Sequence, residues 1–257
     1  MKYPEHMKPI WLLLLAILAG GAASTGKAAD ATPPRVYLIG DSTMSTYGEK
    51  RFPRRGWGQM LAIFLTDQVV VNNHARSGRS SKSFRDEGHW EKVRQALRPG
   101  DSVVIQFGHN DAKAQDPNRY TQPWESYREQ LRQYVTETRA QGAKPILATS
   151  ICRRRFDEAG HWQATHGDYP AAMRQVAAEM DVPLVDLQAK TRTLLEDLGP
   201  ARSLLLYMHV VAGAYPNYLR EVNDDTHLSD MGAHKVAALF VEGLRELHHP
   251  LAVHAMK

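Results

Sequence analysis

Short, nearly unbroken runs of Val, Ile and Leu recur along the chain, and between them apolar residues fall at helical rather than alternating spacing. Five runs have the length and composition of strands: Val36–Ile39, Val69–Val71, Ser102–Phe107, Pro145–Thr149 and Val182–Val185. Because they do not alternate, they predict strands covered on both faces, as in a parallel sheet built from βα units. Helices are predicted over Trp57–Leu65, Trp90–Leu97 and a segment that opens at Thr121–Pro123 and stops at Gly142. Three more are predicted: Tyr169–Met180 with Asp168 as its cap, Gln188–Leu198 halted by Gly199-Pro200, and Gly232 to Leu247. The last carries Val236, Leu239, Phe240, Leu244 and Leu247 as an inward stripe. Ile151–His166 and Arg202–Thr226 show no clean period and are expected to be loops, and loops that long in a compact domain are often functional.

The amino terminus breaks this pattern. Lys2 and Lys8 precede the apolar run Ile10–Ala19, and the small residues Gly20 to Ser24 follow it. A basic start, a short apolar stretch and a small-residue zone predict a secretory signal peptide over residues 1–23. The run is too short for a bilayer span of about 20 residues, so no stable membrane anchor is expected after cleavage. Residues 24–34 read as a flexible lead-in and 35–257 as one domain. Export, to the periplasm or outside the cell, usually brings disulfides. Cys152 is the single cysteine, so the fold must stand on its core, and Cys152 is expected to pack within it. The formal charge of +4 is compatible with an anionic partner but is no nucleic-acid signature. The Arg51, Arg54, Arg55 cluster and the Arg153-Arg154-Arg155 run read by default as solvated faces.

Candidate chemistry lies at the ends of the predicted strands. The first run ends in Gly40-Asp41-Ser42, which presents a hydroxyl at the carboxyl edge of the sheet, where ligands bind in α/β folds. A serine needs a base, a group to orient that base, and oxyanion donors. Asp224 and His227, ahead of the last helix, have a spacing that can bring a carboxylate against Nδ1 of the imidazole and leave Nε2 for a hydroxyl. Alone, that spacing also suits a capping aspartate beside a surface histidine. Gly78 permits close backbone approach to a bound oxygen, though an ordinary turn explains it equally. Asn110, in Gly108-His109-Asn110-Asp111, can offer a side-chain N–H, or simply form an Asx turn.

Taken together, Gly40-Asp41-Ser42, Gly78, Gly108-His109-Asn110-Asp111 and Asp224-x-x-His227 resemble, in order, the blocks of the SGNH (GDSL-type) hydrolases. Gly56-Trp57-Gly58-Gln59, Gly78-Arg79-Ser80-Ser81 and Pro216-Asn217-Tyr218 narrow the likeness to the rhamnogalacturonan acetylesterases. The resemblance implies a flavodoxin-like three-layer αβα sandwich around a five-stranded parallel sheet. It also implies a metal-free serine esterase that removes acetyl groups from a pectic polysaccharide, without a cofactor. Carried over, it makes Ser42 the nucleophile, His227 the base and Asp224 its orienter. The oxyanion donors would be the Ser42 and Gly78 N–H groups and the Asn110 side chain. The expected partner is an acetylated polysaccharide and the expected state a monomer. For a polyanionic substrate Arg79 is the best-placed contact in the sequence, with Arg76 and Arg220 behind it.

Other readings stay open. Another ester hydrolase of this type could act on acetyl-xylan, peptidoglycan O-acetyl groups or lipids, although site-bearing loops rich in Arg, Ser, Asn and Asp favour sugar esters. A carbohydrate-binding module that has lost turnover would not need an intact Ser, His and Asp set. No Gly-x-Ser-x-Gly elbow occurs, and the twelve histidines show no zinc-ligand spacing.

Overall fold

The computed structural model describes residues 33–256; the signal-peptide reading of residues 1–23, and the lead-in as far as residue 32, lie outside the described residues. In chain order the elements are β1 (Arg35–Gly40), α1 (Trp57–Met60), β2 (Val70–Asn73), α2 (Ser81–Asp86), α3 (His89–Ala96), β3 (Ser102–Gln106) and α4 (Arg128–Ala140). There follow β4 (Lys144–Ala148), α5 (Tyr169–Glu179), β5 (Leu184–Val185), α6 (Leu187–Arg202), β6 (Tyr207–Val210), β7 (Val222–Leu228) and α7 (Asp230–Glu246).

The first five strands form one parallel sheet in the order β2-β1-β3-β4-β5. Successive side chains of a strand point to opposite faces, and β1 shows the consequence. Val36 and Leu38 pack with Val104, Ile146, Trp57 and, from α7, Val236, Phe240 and Leu244. Tyr37 and Ile39 pack on the other face with Val103, Ile105, Phe84 and Trp90, and with Leu131, Tyr134 and Val176 from α4 and α5. Helices therefore cover both faces, giving three layers and explaining why the strands read as continuous apolar runs. The chain leaves β1 towards β2 and then crosses back to β3, so the carboxyl ends of β1 and β3 flank the point where strand order reverses. That is where open α/β sheets bind ligands.

The differences from the sequence expectations have local causes. The helix expected over Trp57–Leu65 tightens to 3-10 form at Leu61–Phe64. The one after Thr121 opens as a π turn, Pro123–Tyr127, before becoming α4. Asp168 is the N-cap residue of α5, but its carboxylate does not bond the first turn and instead accepts from Trp124 Nε1 at 2.9 Å. Gly199, non-helical at φ +67°, halts the first part of α6 at Leu198 as expected, and a second helical turn begins at Pro200. Leu247 lies just past α7 and is exposed. Helix α2 is only six residues long and has too few apolar positions to show a period, though its Ser80/Ser83 capping box was a readable signal. The expected loop Arg202–Thr226 contains most of a two-stranded antiparallel hairpin, β6–β7.

Candidate active site

Strand β1 ends at Gly40, and the chain then turns tightly: the Asp41 carbonyl accepts hydrogen bonds from Met44 and Ser45 N–H. Asp41 is fully buried, and its Oδ1 accepts from Thr43 N–H at 2.9 Å and Thr43 Oγ1 at 2.8 Å, so the carboxylate shapes the turn from inside. Beneath it Trp57 Nε1 donates to Gln106 Oε1 at 2.6 Å. The Ser42 carbonyl accepts from Tyr47 Oη at 2.7 Å, which leaves Oγ as the group that faces outward.

The hairpin supplies the partner of that hydroxyl. Tyr207 pairs with Leu228 and Met208 with Asp224, so one step along β6 spans four along β7, and Asp225, Thr226 and His227 are looped out of the ladder. A bulge of this kind re-aims side chains. Asp224 Oδ1 accepts from the N–H groups of Thr226 (2.8 Å) and His227 (3.0 Å), while Oδ2 lies 2.6 Å from His227 Nδ1. His227 Nε2 in turn lies 2.9 Å from Ser42 Oγ. The carboxylate fixes the tautomer, with Nδ1–H donating to Asp224 and Nε2 accepting from Ser42. Burial works to raise the Asp224 carboxyl, but the bonds from His227 and Thr226 outweigh it and hold the group well below the usual carboxylate range. Asp225 braces the bulge through Arg154 (2.9 Å) and His209 (2.8 Å).

Ser42, Gly78, Asn110 and His227 line one cavity of about 290 Å³. Gly78 sits at φ +82°, a conformation that favours glycine. Among the described residues neither Ser42 N–H nor Gly78 N–H has a hydrogen-bond acceptor. Asn110 gives one side-chain N–H to the Arg79 carbonyl at 3.0 Å, leaving its second hydrogen uncommitted. Gly108, at φ +146°, allows the chain to turn off β3, and a Cβ there would stand 2.4 Å from Ser150 Oγ. Asp111 ties this turn to α2: it accepts from Ser81 N–H at 3.1 Å, Ser81 Oγ at 2.5 Å and Thr121 Oγ1 at 2.9 Å. Burial pushes its carboxyl up to about 7 even against those bonds. The loops carrying Gly78 and Asn110 are thus fixed to one another through a buried carboxyl group.

The three arginines expected to meet the substrate do not line the cavity. Arg79 turns its guanidinium to Glu87 (2.7 Å) and the Ser77 carbonyl (3.0 Å), and Arg76 and Arg220 are exposed elsewhere. The basic residues in the wall are Arg54, Lys113 and Arg153. Two of these belong to the clusters read as solvated faces, and Lys113 follows Asp111 by two residues. His109 also borders the cavity, buried in edge-to-face contact with His166. Burial holds both imidazoles below their ordinary range. Among the described residues no group of three or more His, Cys, Asp or Glu side chains is placed to hold a metal ion.

Residues 38–235 match the model of the GDSL-like lipase/acylhydrolase family. The chain belongs to this family. Like other GDSL-like acylhydrolases it is an ester hydrolase. It is 41% identical over 222 residues to the rhamnogalacturonan acetylesterase RhgT of Bacillus subtilis, an overlap that covers 86% of this chain and 94% of the relative. It is 37% identical to a probable rhamnogalacturonan acetylesterase, YesY, of the same organism, over 86% of this chain and 97% of that one. Among solved structures, the B. subtilis protein YxiM superposes with a TM-score of 0.74 at 27% identity, covering 85% of this chain. This GDSL-like chain spans 58% of that one.

Proposed function

We propose that the protein hydrolyses O-acetyl esters on a pectic polysaccharide of the rhamnogalacturonan type. The observation that carries the chemistry is the continuous chain Ser42 Oγ, His227, Asp224 facing a cavity that also receives N–H donors from three separate loops. Ser42 Oγ attacks the acetyl carbonyl while His227 Nε2 takes its proton, and Asp224 stabilises the imidazolium. The Ser42 and Gly78 N–H groups and the Asn110 side chain receive the oxyanion. The tetrahedral intermediate collapses as His227 returns the proton to the departing sugar oxygen. Water, deprotonated by the same imidazole, then releases acetate from the acetyl-serine.

The choice of substrate is supported by the relatives named as rhamnogalacturonan acetylesterases. We further propose that residues 1–23 direct export and that the mature chain works as a monomer in the periplasm or outside the cell. The test of substrate is acetate release from acetylated rhamnogalacturonan against acetyl-xylan and a small aryl acetate. A kcat/KM at least tenfold higher on the pectic polymer than on acetyl-xylan is expected. Equal or greater efficiency on acetyl-xylan would move the assignment to another sugar ester.

A further inference from the structure

Arg54, Lys113 and Arg153 border the cavity that holds Ser42 and His227, yet come from three different segments of the chain. Other arginines of this region are neutralised. Arg55 pairs with Glu49 and Asp230, Arg79 with Glu87, and Arg154 with Asp225. None of the three in the wall has a carboxylate oxygen within 4.0 Å among the described residues. Among the described residues the side-chain hydrogen bonds of the two arginines go to uncharged groups. Arg54 donates to Tyr47 Oη at 3.0 Å and lies over the Tyr47 ring, and its Nε is buried without a partner. Arg153 donates to the carbonyls of Thr165 (3.2 Å) and His109 (3.3 Å), which hold it half-buried against the site. The Lys113 ammonium has no hydrogen-bond partner among the described residues.

Three cations with no paired carboxylate in one cavity wall cost stability by mutual repulsion unless an anion comes to them. Asp41 and Asp116 act on these cations only from a distance: Asp41 is buried within the turn, with Oδ1 bound to Thr43 and Oδ2 3.3 Å from His109 Nδ1, and Asp116 pairs with Arg119. Burial, followed by the charges of Arg119 and Arg153, pulls the Lys113 ammonium below its ordinary range against Asp116 and Asp41, and burial does the same to Arg153 against Asp41. A bound carboxylate would relieve both.

We propose that Arg54, Lys113 and Arg153 form a seat for a hexuronate carboxylate of the acetylated chain. The inference rests on the pectic-polysaccharide reading, because a rhamnogalacturonan contains galacturonate and a xylan backbone is neutral. The seat makes substrate choice electrostatic. Ser42 and its donors recognise any acetyl ester, and the cations select those embedded in an acidic chain. It also replaces the role expected of Arg79, whose charge is already met by Glu87.

The test compares an acetylated rhamnogalacturonan oligosaccharide with the same oligosaccharide after methyl esterification of its uronates, which removes charge and leaves the acetyl groups. Wild type should prefer the free-carboxylate form by roughly tenfold or more in kcat/KM, the scale of one charge-assisted contact. The preference should shrink as salt is raised. Lys113→Met should cut it at least threefold, and Arg153→Gln further. Arg153 braces two carbonyls and its variant can misfold, so Lys113→Met, which removes no hydrogen bond, decides the matter. Equal kcat/KM on the two forms, or a preference untouched by Lys113→Met, would overturn the seat while leaving the pectic assignment standing. Wild type that releases acetate from neither form but cleaves a small aryl acetate would overturn both.

Discussion

Replacing Asn110 by Ala separates an electrostatic role in turnover from a structural role in the loop. The side chain is almost fully buried and carries two donor hydrogens, of which one is bound to the Arg79 carbonyl at 3.0 Å. Losing that bond removes one neutral side chain to backbone interaction, worth about 1 kcal/mol. In a domain of this size that lowers Tm by about 2–4 °C. The second hydrogen faces the cavity and, on the mechanism above, meets charge only when the carbonyl oxygen becomes an oxyanion. Loss of one such donor costs about 2.7–4 kcal/mol of transition-state stabilisation, or roughly 10²–10³ in kcat, with little change in KM. Asn110→Asp keeps the shape but sets a negative charge beside the developing one, so it should be slower than Asn110→Ala. The assay is steady-state hydrolysis of a small aryl acetate beside thermal unfolding. A folded Asn110→Ala enzyme within threefold of wild-type kcat would refute the oxyanion role, and so would an Asn110→Asp enzyme as fast as the Ala variant.

Four further outcomes are expected. Gly108→Ala should destabilise by more than 3 kcal/mol in urea unfolding, since its Cβ would stand 2.4 Å from Ser150 Oγ at φ +146°; adding Ser150→Ala should recover part of the loss, and strict additivity would contradict the clash. Asp224→Asn should lower kcat by about 10³–10⁴ through the wrong imidazole tautomer, and a loss under tenfold would count against its role. Burial pushes the Asp111 carboxyl up from the ordinary carboxylate range to about 7, so the stability it contributes is present below about pH 4 and lost as pH rises through 7. Urea midpoints of wild type should therefore fall relative to Asp111→Asn between pH 4 and 8, whereas parallel profiles would contradict the raised value. The Cys152 thiol is buried and pushed up to about 12, so it should resist a thiol reagent in the native protein and react once the protein is unfolded; rapid native labelling would show it accessible.

Sheet and layers were legible because period and composition report burial directly: the five apolar runs overlap the five strands of the sheet. Ser42, Gly78 and Asn110 were legible as positions because they follow strand ends, and the topology carries such ends to one edge. The bulge that turns Asp224 and His227 towards Ser42 was not, since a looped-out strand has neither alternation nor helical spacing. The direction of basic side chains was least legible. Nothing in the sequence distinguishes Arg79, which folds back on Glu87, from Arg153, which the Thr165 and His109 carbonyls hold against the cavity. The partner that decides each lies 8 residues away in one case and 12 and 44 in the other.

The nucleophile itself can be caught covalently. Incubating the protein with a fluorophosphonate and mapping the adduct by peptide mass spectrometry should give one modified residue, Ser42, with loss of acetate release in proportion to labelling and no adduct in Ser42→Ala. An adduct on a different residue, or undiminished acetate release by Ser42→Ala, would contradict the assignment of Ser42.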